Sequence, residues 1–548
     1  MIDNQGILKP NGAIQLRGGT YEALRTQNPL LSRREIMTEV DTGRLKVGDG
    51  IHRWNDLAYT SDIGNMSIPT LMLNFESGTE IVLGSQKEIV ITTNSDGKIE
   101  VTSSDNSIVK VITETSIDEN LVQYISGYYI QGVEAGNATI TVRVKASENY
   151  FAIEKSFDVT VKSTIRYGYR INKNESDPYN RVEYLYDAVG LTPAHMDFAN
   201  GVFDYGDWGD KWFITDNKPC MLKSDGTVDY YLNPNDYTKK EDGTASDVAN
   251  TAYNGNAMAQ IPLVWVYRYE DENYEYEIIS DKQVNENYKA YAHTRADGSI
   301  ADYFYWSMFP STGSASKIRS LSGQSSHVNA ISATTAVSGA LANGNRWYIH
   351  TWSGHELIRT LLILMSKSTN VNSVFGMGRC DNNSVLETGT LKNKGQFYGY
   401  ADSSHQVKVF HIERAWSEVM SILAGLIIHN STYYVKMTRE GTGYQFTNVN
   451  GYTNTGIVFS NVINGYVTKV KCCEYGMFNL VVDGSASTYY CDGCYCVNMS
   501  LGICAYGGYR MDPAGNDGIF TVSADRNNST VAIAPIGYGL TCEQPLGE

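Results

Sequence analysis

Cysteines are concentrated near the C-terminal end of the chain, where their spacing raises the question of metal or redox chemistry. Six of the nine cysteines fall between Cys472 and Cys504, and Cys491 and Cys494 form a C-x-x-C pair. A structural zinc site normally combines two such pairs, because four ligands complete its tetrahedral coordination. Only one pair has that spacing here. We expect partly buried, reduced thiols and no bound metal or other cofactor; a zinc site and a redox pair are the alternatives.

A second candidate is the stretch "HEL", which begins at His355. Zinc proteases of the H-E-x-x-H type need a second histidine one helical turn later, and position 359 is Arg359. Without that ligand the metal would be incompletely held. No phosphate-binding loop, nucleophile elbow or histidine–carboxylate arrangement stands out either. We therefore predict no catalytic residues and no enzyme activity.

Three aspartates in "FDYGDWGD" are the remaining metal candidates, and they are Asp204, Asp207 and Asp210. A calcium loop places oxygen ligands at alternate positions and closes with a distant bidentate glutamate. A spacing of three residues does not fit that pattern. The stretch is interpreted as a surface turn, with calcium binding as the alternative.

The C-terminal stretch 507–540 alternates short apolar runs with polar clusters. Side chains on a strand point alternately to opposite faces, so one face can vary while the other keeps the core. The apolar positions predicted as framework are Ile519, Phe520, Val522, Val531, Ile533 and Ile536. The predicted ligand-binding positions are Tyr506, Tyr509, Arg510, Asp512, Asn516, Asp517, Ser523, Asp525, Arg526, Asn527 and Asn528. A plain polar turn region is the alternative.

Bulk properties limit the class of protein. A chain of 548 residues exceeds one hydrophobic core, which favours about three or four domains. The net charge of −16 argues against nucleic-acid binding. No apolar run approaches the ~18 residues of a membrane span, so we expect no membrane insertion. The N-terminus shows no basic, apolar leader, so no secretory signal is expected. The 39 tyrosines suit binding surfaces, and they also suit strands.

Residues 1–65 are predicted to form a small β unit with one helix. A helical pattern covers Tyr21–Gln27, and turns at 41–43 and 48–50 bracket short strands. The motifs "LRGGT" (16–20), "DTGRLKVGDG" (41–50) and "WNDL" (54–57) occur in the order typical of one family. Over roughly residues 14–59 the chain resembles the N-terminal domain of phage tail-tip proteins of the major tropism determinant family. It departs from that family at "LSRREIMTEV" (31–40).

Residues 66–164 are predicted to form a β-sandwich. Alternating strands recur at intervals of about 8–12 residues and are separated by Gly, Asn and Asp turns. "GVEAGNATITV" (132–142) followed by "FDVTV" (157–161) resembles the bacterial immunoglobulin-like domain. That resemblance implies a spacer; a glycan-adhering sandwich is the alternative.

Residues 165–548 combine many short strands with three helical patterns, which favours an α+β domain. The first pattern covers 177–190, with Asp177 as N-cap and Pro178 at the first helical position. The second covers 353–367, where Ser353 and Glu356 make a capping box. The third covers 411–425. The predicted fold class is multidomain and mostly β, with α+β.

The C-terminal region resembles the C-type-lectin-like domain shared by formylglycine-generating enzymes and the variable proteins of diversity-generating retroelements. The resemblance covers roughly 340–541 and rests on "HIERAWSEVMSILAGL" (411–426), "STYYCDG" (487–493) and the closing "IGYGL" (536–540). The second tryptophan of the family motif is absent, and the enzymes' catalytic cysteines and metal ligands are not recognisable. The resemblance implies a variable region at about 506–541, whose asparagine codons are rewritten by reverse transcription that is error-prone at adenines.

Together these resemblances imply a phage tail-fibre or tail-tip receptor-binding protein located in the virion. The N-terminal domain would attach to phage tail or baseplate proteins, and the C-terminal domain would bind a host cell-surface receptor, protein or glycan. Family analogy favours a homotrimer, since several weak sites on one particle multiply avidity. The alternatives are a bacterial cell-surface adhesin with the same modules and an enzyme built on the lectin-like fold.

Overall fold

The computed structural model describes residues 17–60, 67–117, 123–162, 164–381, 384–441, 443–508, 517–528 and 536–547. The chain divides into two compact units, 1–164 and 165–548. Strands predominate in both units, so the mostly β fold class is confirmed. Among the helices described, none combines the length and the apolar content that crossing a membrane requires.

The first unit opens with a small sheet around one helix. Its elements are β1 Arg17–Gly19, α1 Tyr21–Gln27, β2 Ile36–Glu39, β3 Leu45–Val47 and a 3-10 turn at Trp54–Asp56. The strands lie in the order β1-β2-β3. The Thr20 hydroxyl accepts a hydrogen bond from the Ala23 amide at 3.3 Å, which starts α1 at the predicted residue. Leu24 and Trp54 are buried in the small core.

The rest of the first unit is built from strands alone. They are β4 Leu71–Leu73, β5 Thr79–Val82, β6 Gln86–Glu88, β7 Ile91–Thr93, β8 Ile99–Ser103, β9 Val109–Ile117, β10 Gln123–Gly132, β11 Gly136–Val144 and β12 Ile153–Lys162. One sheet has the order β6-β10-β9, a second has the order β5-β12-β11-β8, and β4 pairs with β7. Val109 and Ile130 of the first sheet share a buried core with Val142 and Val159 of the second. Two sheets therefore enclose one core, as a sandwich does.

The first half of the second unit contains a four-stranded sheet and part of a seven-stranded sheet. Its elements are β13 Arg166–Asn172, β14 Val182–Tyr186, β15 His195–Asp197, β16 Val202–Asp204, α2 Trp212–Thr215, β17 Lys218–Lys223, β18 Val228–Asn233, β19 Asp236–Lys240, β20 Gly255–Pro262, β21 Trp265–Glu270, β22 Tyr274–Ser280, β23 Tyr303–Ser307, β24 Thr312–Ser314 and β25 Lys317–Arg319.

The second half supplies the longest helix and an eight-stranded sheet. Its elements are α3 Ala333–Leu341, β26 Trp347–Ile349, α4 Trp352–Ser366, α5 Val371–Phe375, β27 Lys408–Val409, β28 Ile412–Glu413, β29 Met420–His429, β30 Thr432–Val435, β31 Thr453–Val458, β32 Val462–Tyr466, β33 Lys469–Cys473, β34 Gly476–Val481, β35 Gly493–Val497, β36 Gly502–Tyr506, β37 Val522–Arg526, β38 Ile536–Gly537 and β39 Leu540–Glu543.

Three sheets organise this unit. The four-stranded sheet has the order β14-β13-β22-β21, and the seven-stranded sheet has the order β19-β18-β17-β20-β23-β39-β26. The eight-stranded sheet has the order β31-β30-β29-β36-β37-β35-β32, with β38 paired to β29. Helix α4 is buried along its whole length.

The predicted helix at 177–190 is wrong. Asp177 begins a turn, since its carboxylate accepts from the Tyr179 amide at 2.9 Å, and the chain then enters strand β14. Strand β14 pairs with β13 in register from Ile171↔Val182 to Tyr167↔Tyr186. The sequence Val-Glu-Tyr-Leu-Tyr is rich in β-branched and aromatic residues, and these favour a paired strand over a helix.

The predicted helix at 411–425 is also wrong. Arg414, Ser417 and Glu418 have positive φ angles of 59°, 66° and 67°, which a right-handed helix excludes. The apolar run that follows forms β29, where every residue from Ile422 to Ile428 is buried. Both faces of this strand are covered, so its sequence carries no period of two that would distinguish it from a buried helix.

The predicted helix at 353–367 is confirmed as α4, although it begins one residue earlier, at Trp352. Its N-cap is Thr351, whose hydroxyl accepts from the Gly354 amide at 3.3 Å. Glu356 therefore does not make the predicted capping box. It takes part in a buried ion network instead.

That network joins α4 to the four-stranded sheet. Glu277 of β22 is fully buried and accepts from Arg268 Nε at 2.7 Å and from Arg359 Nη2 at 2.6 Å. Arg359 also donates to Glu356 at 2.8 and 3.0 Å, and the Tyr169 hydroxyl donates to Glu277. Burial alone would raise the pKa of Glu277, but the two guanidinium groups outweigh it and lower that pKa. The two guanidinium groups thus keep Glu277 charged inside the core.

We expect Glu277→Gln to destabilise the second unit by about 3–5 kcal/mol, because it leaves two buried guanidinium groups with one carboxylate. Denaturant unfolding measures the change. Glu183→Gln is the matched control, since Glu183 pairs with Arg170 at 2.6 Å on the surface and its loss should cost about 0–1 kcal/mol. Equal effects of the two substitutions would contradict a structural role for the network.

Candidate ligand-binding site

The predicted ligand-binding positions fall on and around two neighbouring strands of the eight-stranded sheet. Strand β36 ends at Tyr506, and β37 runs antiparallel beside it from Val522 to Arg526. The predicted framework residues Ile519, Phe520, Val522 and Ile536 are all buried. Val531 and Ile533 lie outside the described residues.

Three predicted ligand contacts, Tyr506, Asp517 and Ser523, are buried in the interior. Tyr506 is 7% exposed, and its hydroxyl lies 3.2 Å from His350 Nδ1. Asp517 is fully buried and accepts from the Cys380 thiol at 3.1 Å. These side chains already pack and hydrogen bond within the fold, so their burial is at odds with the expectation that they contact a ligand. Ser523 is only 9% exposed.

The end of β37 is more open. Asp525 and Arg526 are partly exposed and lie 3.3 Å apart as an ion pair, and Asn527 is exposed. The Asn528 amide accepts from the Thr334 amide nitrogen at 3.2 Å and donates to the Thr334 hydroxyl at 2.9 Å, which ties it to helix α3. Asp525, Arg526, Asn527 and the partly exposed Asn528 are therefore the predicted positions at which the described structure offers side chains to solvent.

Four further predicted positions, Tyr509, Arg510, Asp512 and Asn516, lie outside the described residues. These positions belong to the segment 509–516, and the described residues on either side of it show how its two ends are held.

On the first side, Gly507 donates to the Thr521 carbonyl at 3.1 Å and accepts from the Ser417 amide. Gly508 has φ +80°, and a Cβ added there would lie 2.0 Å from the Asp517 carboxyl carbon. On the other side, the Gly518 amide donates to the Thr521 hydroxyl at 2.9 Å. Both ends of the segment are thus fixed to the framework.

Asp492 is a buried acid close to Gly518 and Phe520. Its carboxyl accepts from the Phe520 amide at 2.8 Å and from the Asn372 side chain at 3.4 Å. A Cβ added to Gly518 would lie 2.2 Å from one of its oxygens. Burial raises the pKa of Asp492 to about 8, against the lowering effect of the Phe520 hydrogen bond. Asp492 is therefore part of the packed support of the segment.

The structure also reveals exposed residues beside the predicted positions that the sequence analysis missed. Tyr495 of β35 pairs with Ser523 of β37 on one side and with Asn464 of β32 on the other. Directly paired residues share a face of the sheet, so Asn464 and Tyr495 lie on one face. Asp525 belongs to the neighbouring strand β37, two positions after Ser523 and at an irregularity in its pairing with β36. Tyr495 is 40% exposed, and Asn464 is exposed. We call Asn464, Tyr495 and Asp525 the polar-aromatic face.

A signal for Tyr495 was present in the sequence. In "GCYCV" an aromatic residue alternates with two cysteines, a pattern typical of a strand with one buried face. The cysteines of this stretch obscure the alternation, because they also suggest metal or redox chemistry. In the structure Cys494 and Cys496 are both buried, with their sulfur atoms 3.7 Å apart, and Tyr495 points away from them.

The residues considered for metal and catalytic chemistry have structural surroundings. All nine cysteines are free thiols, and burial raises the pKa of Cys472 and Cys504. The hydrogen bond with Cys494, together with burial, raises the pKa of Cys496. His355 is buried, and burial lowers its pKa to about 3. Within the described ranges no group of three or more His, Cys, Asp or Glu side chains is placed to hold a metal ion. The zinc and redox alternatives therefore gain no support from the described part of the chain.

Comparison with known proteins gives one specific match. Residues 14–52 match the family model described as "Major tropism determinant N-terminal domain". The chain carries a tropism-determinant N-terminal domain. This match overlaps the stretch whose motifs suggested the family, and it covers helix α1 and strands β1 to β3.

Solved tropism-determinant structures are similar to the chain at low identity. The "Major Tropism Determinant P3c Variant" is 10% identical, covers 96% of this chain and 98% of its own, and gives a TM-score of 0.22. The "U1 Variant" is 10% identical, covers 96% and 99%, and gives 0.21. Because these scores are low, the specific relationship lies in the tropism-determinant N-terminal domain. A search of curated proteins gives no match.

The buried Asp492 predicts a pH dependence of stability. Its folded pKa of about 8 lies above the ordinary value of 3.8, so between these values the folded state holds a proton that the unfolded state has lost. Its contribution to stability therefore falls as pH rises from about 4 to about 8, by up to about 1.4 kcal/mol per pH unit. We expect Asp492→Asn to flatten this part of the stability profile, measured by denaturant unfolding at successive pH values.

Asp402→Asn is the control for that measurement. Hydrogen bonds from Ser404 and His405 lower the pKa of the exposed Asp402 to about 2, so its substitution should act only below about pH 4. An unchanged slope between pH 4 and pH 8 in Asp492→Asn would show that Asp492 ionises normally in the folded protein.

Proposed function

We propose that the chain is a phage tail receptor-binding protein that determines which host cells the particle adsorbs to. The observation that carries the proposal is the tropism-determinant N-terminal domain at residues 14–52. In this role the protein belongs to the virion tail, acts by binding without catalysis, and has no nucleic-acid partner.

The proposed division of labour follows the chain. Residues 1–65 attach to phage tail or baseplate proteins, residues 66–164 form an immunoglobulin-like spacer, and residues 165–548 form a C-type-lectin-like receptor-binding domain. The sandwich core of the spacer and the separate compactness of the second unit support this division. Assembly as a homotrimer would place several receptor sites on one particle and raise avidity by orders of magnitude.

Receptor contact is assigned to the polar-aromatic face, to its neighbours Arg526 and Asn527, and to the segment 509–516. Three features support the assignment. Asn464 and Tyr495 are exposed and Asp525 is partly exposed, the three combine a tyrosine ring with amide and carboxylate groups, and they lie on a sheet whose strands also carry buried residues. Antibody paratopes combine Tyr and Asn side chains in the same way, because a stiff ring offers contact area at small entropic cost.

We propose that the segment 509–516 tolerates change because the residues on either side of it are held to the framework. Gly507, Gly508, Gly518 and Thr521 make their contacts through backbone groups or with buried framework residues. We propose that residues of 506–541 that face solvent are rewritten between phage generations, while the buried positions in between keep the sheet.

Receptor binding is tested by the triple variant Asn464→Ala, Tyr495→Ala and Asp525→Ala. We expect adsorption of particles to host cells to fall by about tenfold or more, since exposed aromatic and charged contacts dominate interfaces of this kind. The melting temperature should stay within a few degrees of the wild type, because surface substitutions usually change stability by about 0.5 kcal/mol or less.

Tyr124→Ala is the matched control, since Tyr124 is a similarly exposed tyrosine, 51% accessible, in the sandwich. It should leave adsorption unchanged. Normal adsorption of the triple variant, with the protein present in the particle at wild-type amount, would refute the assignment of the face.

The proposed variability has a genetic test that needs no protein. A reverse-transcriptase gene should lie beside the coding sequence, together with a near-copy of codons 500–541 that differs from it at adenines. A genome that has neither the reverse-transcriptase gene nor the near-copy would refute the rewriting proposal. The receptor-binding proposal would then depend on the adsorption experiment alone.

A further inference from the structure

A cavity of about 310 Å³ opens to the surface of the second unit, and none of its lining residues belongs to the polar-aromatic face. It lies between helix α2, the strands β17 to β19 and the loop before β27. Two other cavities, beside His350 and beside Arg439, measure only about 30 Å³ each, room for about one water molecule. A volume of about 310 Å³ reaches the range of small-molecule sites, which begins at about 300 Å³.

Buried amide groups line this cavity. Asn217 is 3% exposed and Gln396 is 8% exposed, and both border it. The Gln396 nitrogen donates to the Asn217 side-chain oxygen at 2.7 Å and to the Ile214 carbonyl at 3.1 Å. The Asn217 nitrogen donates to the Gln260 carbonyl at 2.8 Å. These bonds fix which end of each amide is the oxygen, and each oxygen keeps a second lone pair.

An aromatic wall and a balanced rim complete the cavity. The Tyr205 hydroxyl donates to the Gln396 oxygen at 3.1 Å, and its ring packs edge-on against Phe203 and Phe397. Lys218 and Glu241, which carry opposite charges, both line the cavity.

The histidine of the lining is neutral. His411 is buried, and burial together with the neighbouring Lys408 lowers its pKa well below the ordinary value. The side chains around the cavity therefore carry no net charge.

This combination favours one class of ligand. An anionic ligand such as a phosphate ester would need an excess of cationic over anionic groups, and the lining has no such excess. A wholly apolar ligand would leave the two buried amide oxygens without their second hydrogen bond. Hydroxyl groups of a neutral, polyhydroxylated molecule donate to such oxygens, while its C–H groups can pack on the Tyr205 ring.

We propose that this cavity binds a neutral sugar residue, either as a free monosaccharide or as the end of a glycan chain. Asn217 and Gln396 accept hydrogen bonds from its hydroxyl groups, and Tyr205 forms the wall against which it packs. None of these residues belongs to the polar-aromatic face, so the proposal is independent of the receptor-binding role.

The test is direct titration of the full-length protein with free sugars, followed by calorimetry or saturation-transfer NMR. The panel contains neutral hexoses and N-acetylhexosamines, with a sugar phosphate and sialic acid as charged comparators and neutral oligosaccharides as models of a chain end. Asn235→Trp, at an exposed position of the rim, is designed to fill the opening. Thr215→Trp obstructs it from helix α2.

We expect at least one neutral sugar to bind the wild type and both obstructing variants to bind it about tenfold or more weakly. Asn287→Trp, which introduces the same ring at an exposed site outside the cavity, should bind as the wild type does. Tighter binding of the oligosaccharide than of its terminal sugar would identify a glycan end as the ligand, and equal binding would identify the free sugar.

Three results would overturn the proposal: no neutral sugar binds, the charged sugars bind better than the neutral ones, or the folded obstructing variants bind as well as Asn287→Trp. Because host cells are absent from the titration, each result leaves the receptor-binding proposal untouched.

Discussion

The second unit depends on keeping Glu277 charged where water does not reach it. A buried carboxylate is tolerated only if opposite charges and hydrogen bonds replace its hydration. Here the replacements come from different elements: Arg268 from the adjacent strand, Arg359 from helix α4 and the Tyr169 hydroxyl from β13. Helix α4 and the four-stranded sheet cannot shift against each other without separating one of these groups from its partner. The network therefore fixes the position of α4 as well as contributing to its packing.

The same helix also contacts β34 and the eight-stranded sheet. Glu356, which shares Arg359 with Glu277, also accepts from the Met477 amide at the start of β34. His355, one residue earlier, lies against the Tyr506 ring at a centroid distance of 4.5 Å. The strand that leads into 509–516 thus ends on a residue packed against the helix. A surface can vary freely only if the backbone beneath it is set by something else, and here the buried helix and its charges do so.

Some of this could be predicted from the sequence and some could not. The helix at 21–27 was predictable because a cap and a short amphipathic pattern coincide, and α4 because its apolar run is long and begins after a capping residue. Strand β29 was not, because burial of both its faces removes the alternation by which strands are recognised. Strand β14 was missed since Asp177-Pro178 resembles a helix start in any chain; only its pairing with β13 decides between turn and helix.

For the candidate site, sequence reasoning separated apolar framework from polar positions and could not separate exposed polar residues from buried ones. Asp517 and Asp525 look alike in the sequence, yet Asp517 is fully buried and Asp525 is partly exposed. Tyr495 escaped notice because its role depends on strands that are distant in the chain.

Gly508 and Gly518 stand on either side of 509–516, and at both a Cβ would collide with a carboxyl group. Where the copied template itself reads GGN at these two positions, a mechanism that alters only adenines cannot replace the glycines, because an adenine in the third place of GGN is silent. The two glycines that border the segment would then be protected by the genetic code itself, without any need for selection to remove failed copies.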